Sequence, residues 1–304
     1  MYLIVSPSML KTYSLCPKKY KLRYVEGIRQ VPTVSFLLGR AIHKGIEILL
    51  KEMASIGICE EGIGYQAFED YFLKEAREKG VYVLPHEKER LKEIKKIDIT
   101  PEWLEERFRD TGKEVFGMIE GELKRRFGKE IEEVSDIEKE VRFSFSEIAE
   151  VLKDDFWRMI PKGERRDVEK LLSCVEAEGR IDLCLSKSEK EVIDFKVGRT
   201  IRNYDVSSDE QLSFYALSLL LKEPDIREVK TSFFLIKKDI WDIFKETKAL
   251  YIKGKRRRED IIRYLTEYVI PLVRGIRDGK FHKTDKDWMC RYCFYRWEGY
   301  CKGK

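Results

Sequence analysis

Amide side chains are nearly missing from this chain: asparagine occurs once, at Asn203, and glutamine three times, at Gln30, Gln66 and Gln211. Such scarcity beside abundant Lys, Arg and Glu is a bias of proteins from hot environments, so a thermophilic source is expected. No apolar run approaches the roughly 18 to 20 residues of a membrane span, and Met1–Val5 lacks a basic n-region and a cleavage site. A cytoplasmic protein with no membrane contact is expected. The Gly-x4-Gly-Lys-[Ser/Thr] pattern is also missing, which leaves the chain without a Walker-type ATP site of its own. Internal repeats and low-complexity segments are absent.

What remains is long and densely charged. The 304 residues suffice for one large domain, or one domain with a sizeable insertion. Charged residues make up 38% of the chain, yet the formal net charge is only +5. Both signs are interspersed, a balance that permits a nucleic-acid partner without demanding one.

Ser6-Pro7-Ser8 reads as a helix start, with a capping hydroxyl and proline in the first turn, and Gly27 as its end. A second amphipathic helix is expected over 36–53, with Ile42, Ile46, Leu49 and Leu50 on its apolar side and His43 and Glu47 four apart on a neighbouring face. Residues 58–134 carry charge and helical patterning without strand signal, and read as a helical insertion. Strands are expected over 137–145, 175–185, 191–197, 228–237 and 240–247, with helices over 147–174 and 209–221 and a long amphipathic one after the last strand, burying Ile261, Ile262, Leu265, Tyr268, Val269, Leu272 and Ile276. The class is α/β (α+β), a mixed sheet flanked by helices.

Two of those strands carry the chemistry. In 175–186 the odd positions are apolar or small and the even ones mostly polar, a period of two that implies a half-buried strand. In 191–197 the apolar set is Ile193, Phe195 and Val197, which puts Asp194 and Lys196 on the other face. A hairpin through 186–190 would set Asp182, Asp194 and Lys196 side by side. Two carboxylates can hold a hard cation through oxygen, completed by the Phe195 backbone carbonyl. Lys196 can then orient water or stabilise charge on a phosphate. The plainer reading is a solvated strand face with Lys196 as an ion-pair partner.

Seven cysteines in a chain of this class are read as ligands before disulfides. Cys290-Arg-Tyr-Cys293 is a Cys-x2-Cys pair, Cys301 follows, and Cys16 lies at the far end of the chain. Four such thiolates can close around one centre, and a zinc site uses the same ligands. Cys59, Cys174 and Cys184 are left as unliganded thiols. Lys253-Gly-Lys-Arg-Arg-Arg258, Lys283, Lys286, Arg291, Arg296, Lys302 and Lys304 are candidate phosphate contacts, and Tyr292, Phe294, Tyr295 and Trp297 could stack on bases.

The ordered set Gly39-Arg-Ala-Ile-His43, Gly179-Arg-Ile-Asp182, Asp194-Phe-Lys196 and Gln211-Leu-Ser-Phe-Tyr215 resembles the signature of RecB-like nucleases, CRISPR-associated exonucleases included, of the PD-(D/E)XK superfamily. The resemblance covers the first 50 residues and those from about 137 onward. It implies a restriction-endonuclease-like core in a single nuclease domain over 1–304. By that resemblance His43, Asp182 and Asp194 are metal ligands for Mg2+ or Mn2+, Lys196 is the catalytic lysine, and Gln211 and Tyr215 place the nucleic acid and the lysine. Several such nucleases hold a [4Fe-4S] cluster with one cysteine before the motifs and three after. Here that implies Cys16, Cys290, Cys293 and Cys301, in a clasp joining 6–27 to 284–304. The spacing to Cys301 is longer than the family's usual. The implied function is a metal-dependent DNA nuclease, an exonuclease on single-stranded ends, serving DNA repair and recombination or CRISPR spacer acquisition beside adaptation proteins. The competing function is a non-catalytic nucleic-acid-binding protein with a structural four-cysteine metal site.

Overall fold

A computed structural model describes residues 2–57, 60–95, 99–128, 131, 134–186, 190–198, 205–238, 240–241 and 247–302, leaving aside the side chains of residues 86, 90, 94 and 95. In chain order the elements are β1 (Leu3–Val5), α1 (Pro7–Leu15), α2 (Pro17–Tyr20), α3 (Val34–Ile56), α4 (Ile63–Lys79), α5 (Pro85–Lys95), α6 (Pro101–Phe127), β2 (Val134–Ser144), α7 (Phe145–Met159), α8 (Arg165–Leu172), β3 (Val175–Ser186), β4 (Lys190–Gly198), α9 (Glu210–Lys222), β5 (Glu228–Lys237), β6 (Lys248–Arg257), α10 (Arg258–Arg263), α11 (Ile270–Arg277), α12 (Asp287–Arg291) and α13 (Phe294–Trp297). No helix among the described residues is long and apolar enough to cross a membrane.

The first helical stretch is not continuous as expected. Cys16 sits in extended backbone (φ −158°, ψ 99°), ending α1 and capping α2, its Sγ accepting from the Lys19 N–H at 3.4 Å. The cause is Pro17, whose ring pushes the preceding residue out of helical φ/ψ while suiting the first position of the next helix. Cys16 is thereby left at a corner between two helices.

The six strands form one mixed sheet in the order β1-β3-β4-β5-β6, with β2 added on β3. β3 is antiparallel to β2 and β4 and parallel to β1, and β4 is parallel to β5. Ala177 pairs with both Val5 and Phe143, and Leu183 with both Ile137 and Ile193, so β1 and β4 share one edge of β3 at opposite ends. Pairing between β3 and β4 runs only from Ser186–Lys190 to Leu183–Ile193. At the next rung, Asp182 and Asp194, the strands part. The turn at 187–189 lies outside the described residues.

Each face of the sheet carries its own core. On one, α3, α4 and α6 bury Leu37, Ile42, Phe68 and Phe116 against Leu183, Ile193, Phe195 and Phe234. The segment expected as an insertion therefore contributes most of the cover of this face. α3 and α4 approach closely at Gly45, where a Cβ would lie 2.2 Å from the Phe116 ring and 2.4 Å from the Gly64 carbonyl. On the other face α9, α10, α11 and α7 cover Val141, Ile181, Val192 and Phe233.

Two expectations require correction. Strand β3 is not one half-buried ribbon: Val175, Ala177 and Ile181 belong to the α9-side core, whereas Leu183 and Leu185 belong to the α3-side core, with Cys184 on the α9 side. The alternation changes phase at Asp182, and residues 181–185 are all buried because helices cover both faces. The strand expected over 240–247 also lies elsewhere. Ile240 and Trp241 form a turn packed on α6, the Ile240 carbonyl accepting from Arg107 Nε at 2.8 Å, while 242–246 lie outside the described residues. The strand is Lys248–Arg257, so the basic run at 253–258 is mainly the end of an edge strand, where charge blocks further pairing.

Candidate metal centre and nuclease site

The parting of β3 and β4 opens a cleft of about 440 Å³, lined among others by His43, Glu138, Asp182, Asp194, Lys196 and Gln211. Asp182 fills the gap left by the lost ladder: its Oδ2 accepts the Phe195 backbone N–H at 2.7 Å, and its Oδ1 lies 3.6 Å from His43 Nδ1. His43 arrives from α3, its ring edge-on to Phe195 at 6.3 Å.

On the α9 side, Asp209 caps the helix by accepting from the Gln211 and Leu212 backbone N–H groups at 3.0 and 2.9 Å. This fixes Gln211 in the first turn, over the strand gap. Its Nε2 donates to Asp194 Oδ1 at 2.7 Å and to the Tyr215 hydroxyl at 2.8 Å, and its Oε1 accepts from Lys196 Nζ at 2.8 Å. Helix α9 can lie this close because Gly179 stands beneath it, where a Cβ would come 3.1 Å from Phe214 and 3.4 Å from Tyr215. Tyr215, expected to place nucleic acid, is 3% exposed. It backs Gln211 and does not touch the cleft, so any effect on substrate passes through that amide.

The charges are held under strain by burial. Asp194 is 1% exposed, and burial, with Asp182 adding to it, pushes its carboxyl up to about 6 although Lys196 opposes. Lys196 Nζ lies 2.5 Å from Asp194 Oδ2, but that oxygen accepts no aligned hydrogen bond. For Lys196, burial pulls the ammonium down and Asp194 more than restores it, leaving the value raised. Burial likewise lowers His43, but Asp182 and Asp194 outweigh it and the imidazole ends raised. Two aspartate carboxylates and an imidazole face this cleft, and oxygen-rich donors of this kind suit a hard cation such as Mg2+ or Mn2+.

One acidic residue was not anticipated. Glu138 on β2 brings a carboxylate oxygen into a group with His43 and Asp182 in which all three ligand atoms lie within 4.8 Å of one another. Burial, then the Asp182 charge, raise its carboxyl. The available signal was Lys139, a charge where the alternation Ile137, Val141, Phe143 calls for an apolar residue.

The four cysteines expected to act together, Cys16, Cys290, Cys293 and Cys301, line one cavity of about 390 Å³. All are half-buried free thiols, and among the described residues no three of their sulfurs lie within 4.8 Å of one another. Around them the chain ends are tied: the Lys18 N–H donates to the His282 carbonyl at 2.9 Å, the Tyr13 hydroxyl to Lys280 at 2.7 Å and the Tyr295 hydroxyl to Ile28 at 3.0 Å. Of the left-over thiols, Cys184 is buried in the core and raised by that burial, Cys174 is half-buried, and Cys59 lies outside the described residues.

Several candidate nucleic-acid contacts are structural instead. Arg256 is buried, its Nε donating to Ser213 Oγ at 2.9 Å and its Nη2 to the Val206 carbonyl at 2.5 Å. Arg258 ties Asp155 and the Pro224 and Val151 carbonyls. Phe294 and Tyr295 pack on Leu22 in a small core, whereas Tyr292 and Trp297 are exposed. Lys304 lies outside the described residues.

The fork between β3 and β4 thus gathers two aspartates, a lysine and a glutamine around one cleft. The family model for the PD-(D/E)XK nuclease superfamily matches residues 4–301, and the protein belongs to that superfamily. Membership implies a metal-dependent nuclease acting on DNA. No curated protein matches the chain in sequence. Among solved structures, one titled "Crystal structure of SSO0001" is similar over 98% of this chain and 96% of its own, at 14% identity and a TM-score of 0.34, a likeness too weak to argue from.

Proposed function

We propose that this protein is a RecB-like, metal-dependent deoxyribonuclease that degrades single-stranded DNA from its ends, with an iron–sulfur cluster clasping its termini. The observation that carries the reading is the continuous set Asp194–Gln211–Lys196 beside Asp182 and His43, at the rung where β3 and β4 separate. Asp182, Asp194 and His43, with the Phe195 carbonyl, would hold Mg2+ or Mn2+. Held by these residues, such a cation would supply polarisation of the scissile phosphate and a lowered pKa of attacking water.

Lys196, paired with Asp194 at 2.5 Å and held by Gln211, serves to orient water or to stabilise charge on a phosphate oxygen. Gln211 aims that ammonium. At the cleft rim Phe36 is exposed and carries the Arg40 guanidinium 5.8 Å from its ring centre; Arg40 also lies 5.4 Å from the Tyr71 ring. An exposed aromatic beside a cation suits a splayed, unpaired base and its phosphate, which favours single strands.

Cys16, Cys290, Cys293 and Cys301 line one cavity, which supports a shared four-thiolate centre, and the resemblance to RecB-like nucleases makes that centre a [4Fe-4S] cluster. The pathway is DNA repair and recombination or CRISPR spacer acquisition, with a separate helicase or adaptation proteins as partners.

Protein purified without oxygen and tested on end-labelled single- and double-stranded DNA with Mg2+ or Mn2+ decides the matter. Nucleotide release from single-stranded ends, lost in Asp194→Ala, is expected. Equal inertness of wild type and Asp194→Ala, with both still binding DNA, would sink the enzyme reading and leave a binding protein.

A further inference from the structure

The helix that carries Gln211 is anchored on β6, two strands away from β4 and the aspartate it serves. The segment leading into α9 crosses β6 at Gly254, where a Cβ would lie 2.5 Å from Val206 Cγ1, so a side chain there would displace the buried Val206. Arg256 lies two residues along the strand, on the same face. Its Nη2 donates to the Val206 carbonyl at 2.5 Å and to the Asp209 carbonyl at 3.2 Å, and its Nε donates to Ser213 Oγ at 2.9 Å. The Ser213 hydroxyl donates in turn to the Asp209 carbonyl at 2.8 Å, which closes a ring. That ring holds Asp209, whose side chain caps α9 and fixes Gln211 in the first turn.

The bland role for Arg256 is as a brace that stabilises the fold. Two observations count against that as its whole purpose. Arg256 is 1% exposed and its hydrogen bonds go to neutral oxygens, the last of them the Lys255 carbonyl at 3.1 Å, so the burial of its charge is costly. A cation at a helix N-terminus also opposes the macrodipole, which makes it the wrong sign for supporting α9 as a helix. An apolar side chain would cover the same spot at less cost. It could not, however, hold three oxygens of one segment in fixed relation, as a planar fork does. Gln211 is the group on α9 that needs such precision, since its amide meets Asp194, Lys196 and Tyr215 at 2.7, 2.8 and 2.8 Å at once. A small rotation of the first turn would break that set.

We infer that Arg256 is a positioning residue for the nuclease reaction: acting from β6 through Val206, Asp209 and Ser213, it fixes the start of α9 so that Gln211 reaches Asp194 and Lys196 together. The inference rests on the proposed nuclease site and extends it to a strand outside the four sequence motifs. Lysine cannot replace Arg256, because one ammonium on a flexible stem does not reproduce the fork.

Arg256→Lys tests this in the full-length protein with two readouts, one of which needs no cleavage. With one asparagine and three glutamines in the chain, the side-chain amide region of a 15N NMR spectrum is sparse, and Gln211→Ala identifies the Gln211 pair. In DNA-free wild type that pair should exchange slowly with solvent, since its protons are bonded to Asp194 and Tyr215. In Arg256→Lys it should shift and exchange roughly tenfold faster or more. On labelled single-stranded oligonucleotide, Arg256→Lys should lower kcat roughly tenfold with KM nearly unchanged, and should cost nothing further in a Gln211→Ala background. Arg258→Lys, two residues on and bonded instead to Asp155, Pro224 and Val151, should leave kcat and the Gln211 signals at the wild-type level. If Arg256→Lys does not fold, Ser213→Ala removes one bond of the ring and no charge, and should move the same signals in the same direction. Wild-type Gln211 signals in the folded variant, or an equal loss of kcat with and without Gln211, overturns the inference and leaves Arg256 a brace. A wild type that cleaves nothing defeats the nuclease reading instead, while the amide signals still decide what holds Gln211.

Discussion

Gln211 accepts a hydrogen bond from the Lys196 ammonium at 2.8 Å and with its other amide atom donates to Asp194 at 2.7 Å, so one side chain sets the geometry of both. Replacing it with alanine frees the lysine to rotate without removing any charge. Gln211→Ala should lower kcat by roughly 10- to 100-fold with little change in KM, a loss of about 1.4–2.8 kcal/mol in transition-state stabilisation. Lys196→Ala should cost more than that. Steady-state cleavage of labelled oligonucleotide separates the two; an unaltered kcat in Gln211→Ala would show that the lysine needs no guide.

Asp182 does two jobs that two substitutions can part. Its Oδ2 satisfies the Phe195 N–H where β3 and β4 have separated, a bond asparagine can retain and alanine cannot. Asp182→Ala should therefore lose about 1–3 kcal/mol from an unsatisfied buried donor, while Asp182→Asn should melt near wild type. Both should lose divalent-metal binding. Thermal melts in EDTA beside Mn2+ titrations check the pair, and a wild-type melting temperature for Asp182→Ala would remove the structural half of the claim.

The raised carboxyl of Asp194 makes apo-protein stability depend on pH in a definite direction. Its folded value of about 6 lies above the usual 3.8, so the folded state binds its proton more tightly than the unfolded chain. The associated stability is fully present below the unfolded value and lost as pH rises through about 6. The melting temperature of Asp194→Asn relative to wild type, in EDTA, should climb between about pH 4 and pH 6.5, by an amount worth at most ~3 kcal/mol, and be flat above that. His43 is also raised, in part by the Asp194 charge, so the comparison is made in a His43→Gln background. Metal binding should weaken below about pH 6, since the ligand must be ionised. A flat difference across that range would contradict the burial argument.

Gly45 marks the closest approach of α3 and α4, with the Phe116 ring and the Gly64 carbonyl in the space a methyl would take. Gly45→Ala must push two helices apart against rigid neighbours, which typically costs about 1–3 kcal/mol. Gly45 lies two residues from His43 on α3, about half a turn, so an outward shift there reaches the site and activity should fall with the melting temperature. A neutral Gly45→Ala would show the helical layer to be more compliant than its packing implies.

At the cysteine cavity, Cys290→Ala should remove the visible absorption of an iron–sulfur cluster from anaerobically purified protein and lower melting temperature and nuclease activity together. Spectrum, melt and cleavage all matching wild type would leave the clasp to the hydrogen bonds alone.

How legible all this was in the sequence varied with local physics. Strand β4 alternates cleanly, and Ile193, Phe195 and Val197 pack on the α3 side while Asp194 and Lys196 face α9, as the period of two implies. Strand β3 has the same textual alternation yet changes phase at Asp182, because identical apolar letters serve two different cores. Glu138 escaped because a left-handed residue inside a strand, at φ +53°, leaves almost no trace in composition. Strand β6 escaped for the opposite reason: its Lys and Arg are what an edge strand carries to avoid pairing, and they read equally well as a basic helix start. Arg256, one of that run, is a buried brace between β6 and α9.

The ties between the two ends of the chain bear on how the molecule is made. Tyr13 and Tyr20 pack against Phe281, and Tyr13 donates to Lys280, so the first helices complete their packing in the last quarter of the chain. While it is being synthesised, the protein carries its fork residues, 43 to 215, well before the segment that braces its amino terminus. A polypeptide released early would leave those tyrosines uncovered, and the cell's quality control would meet an unfinished surface before it met a working blade.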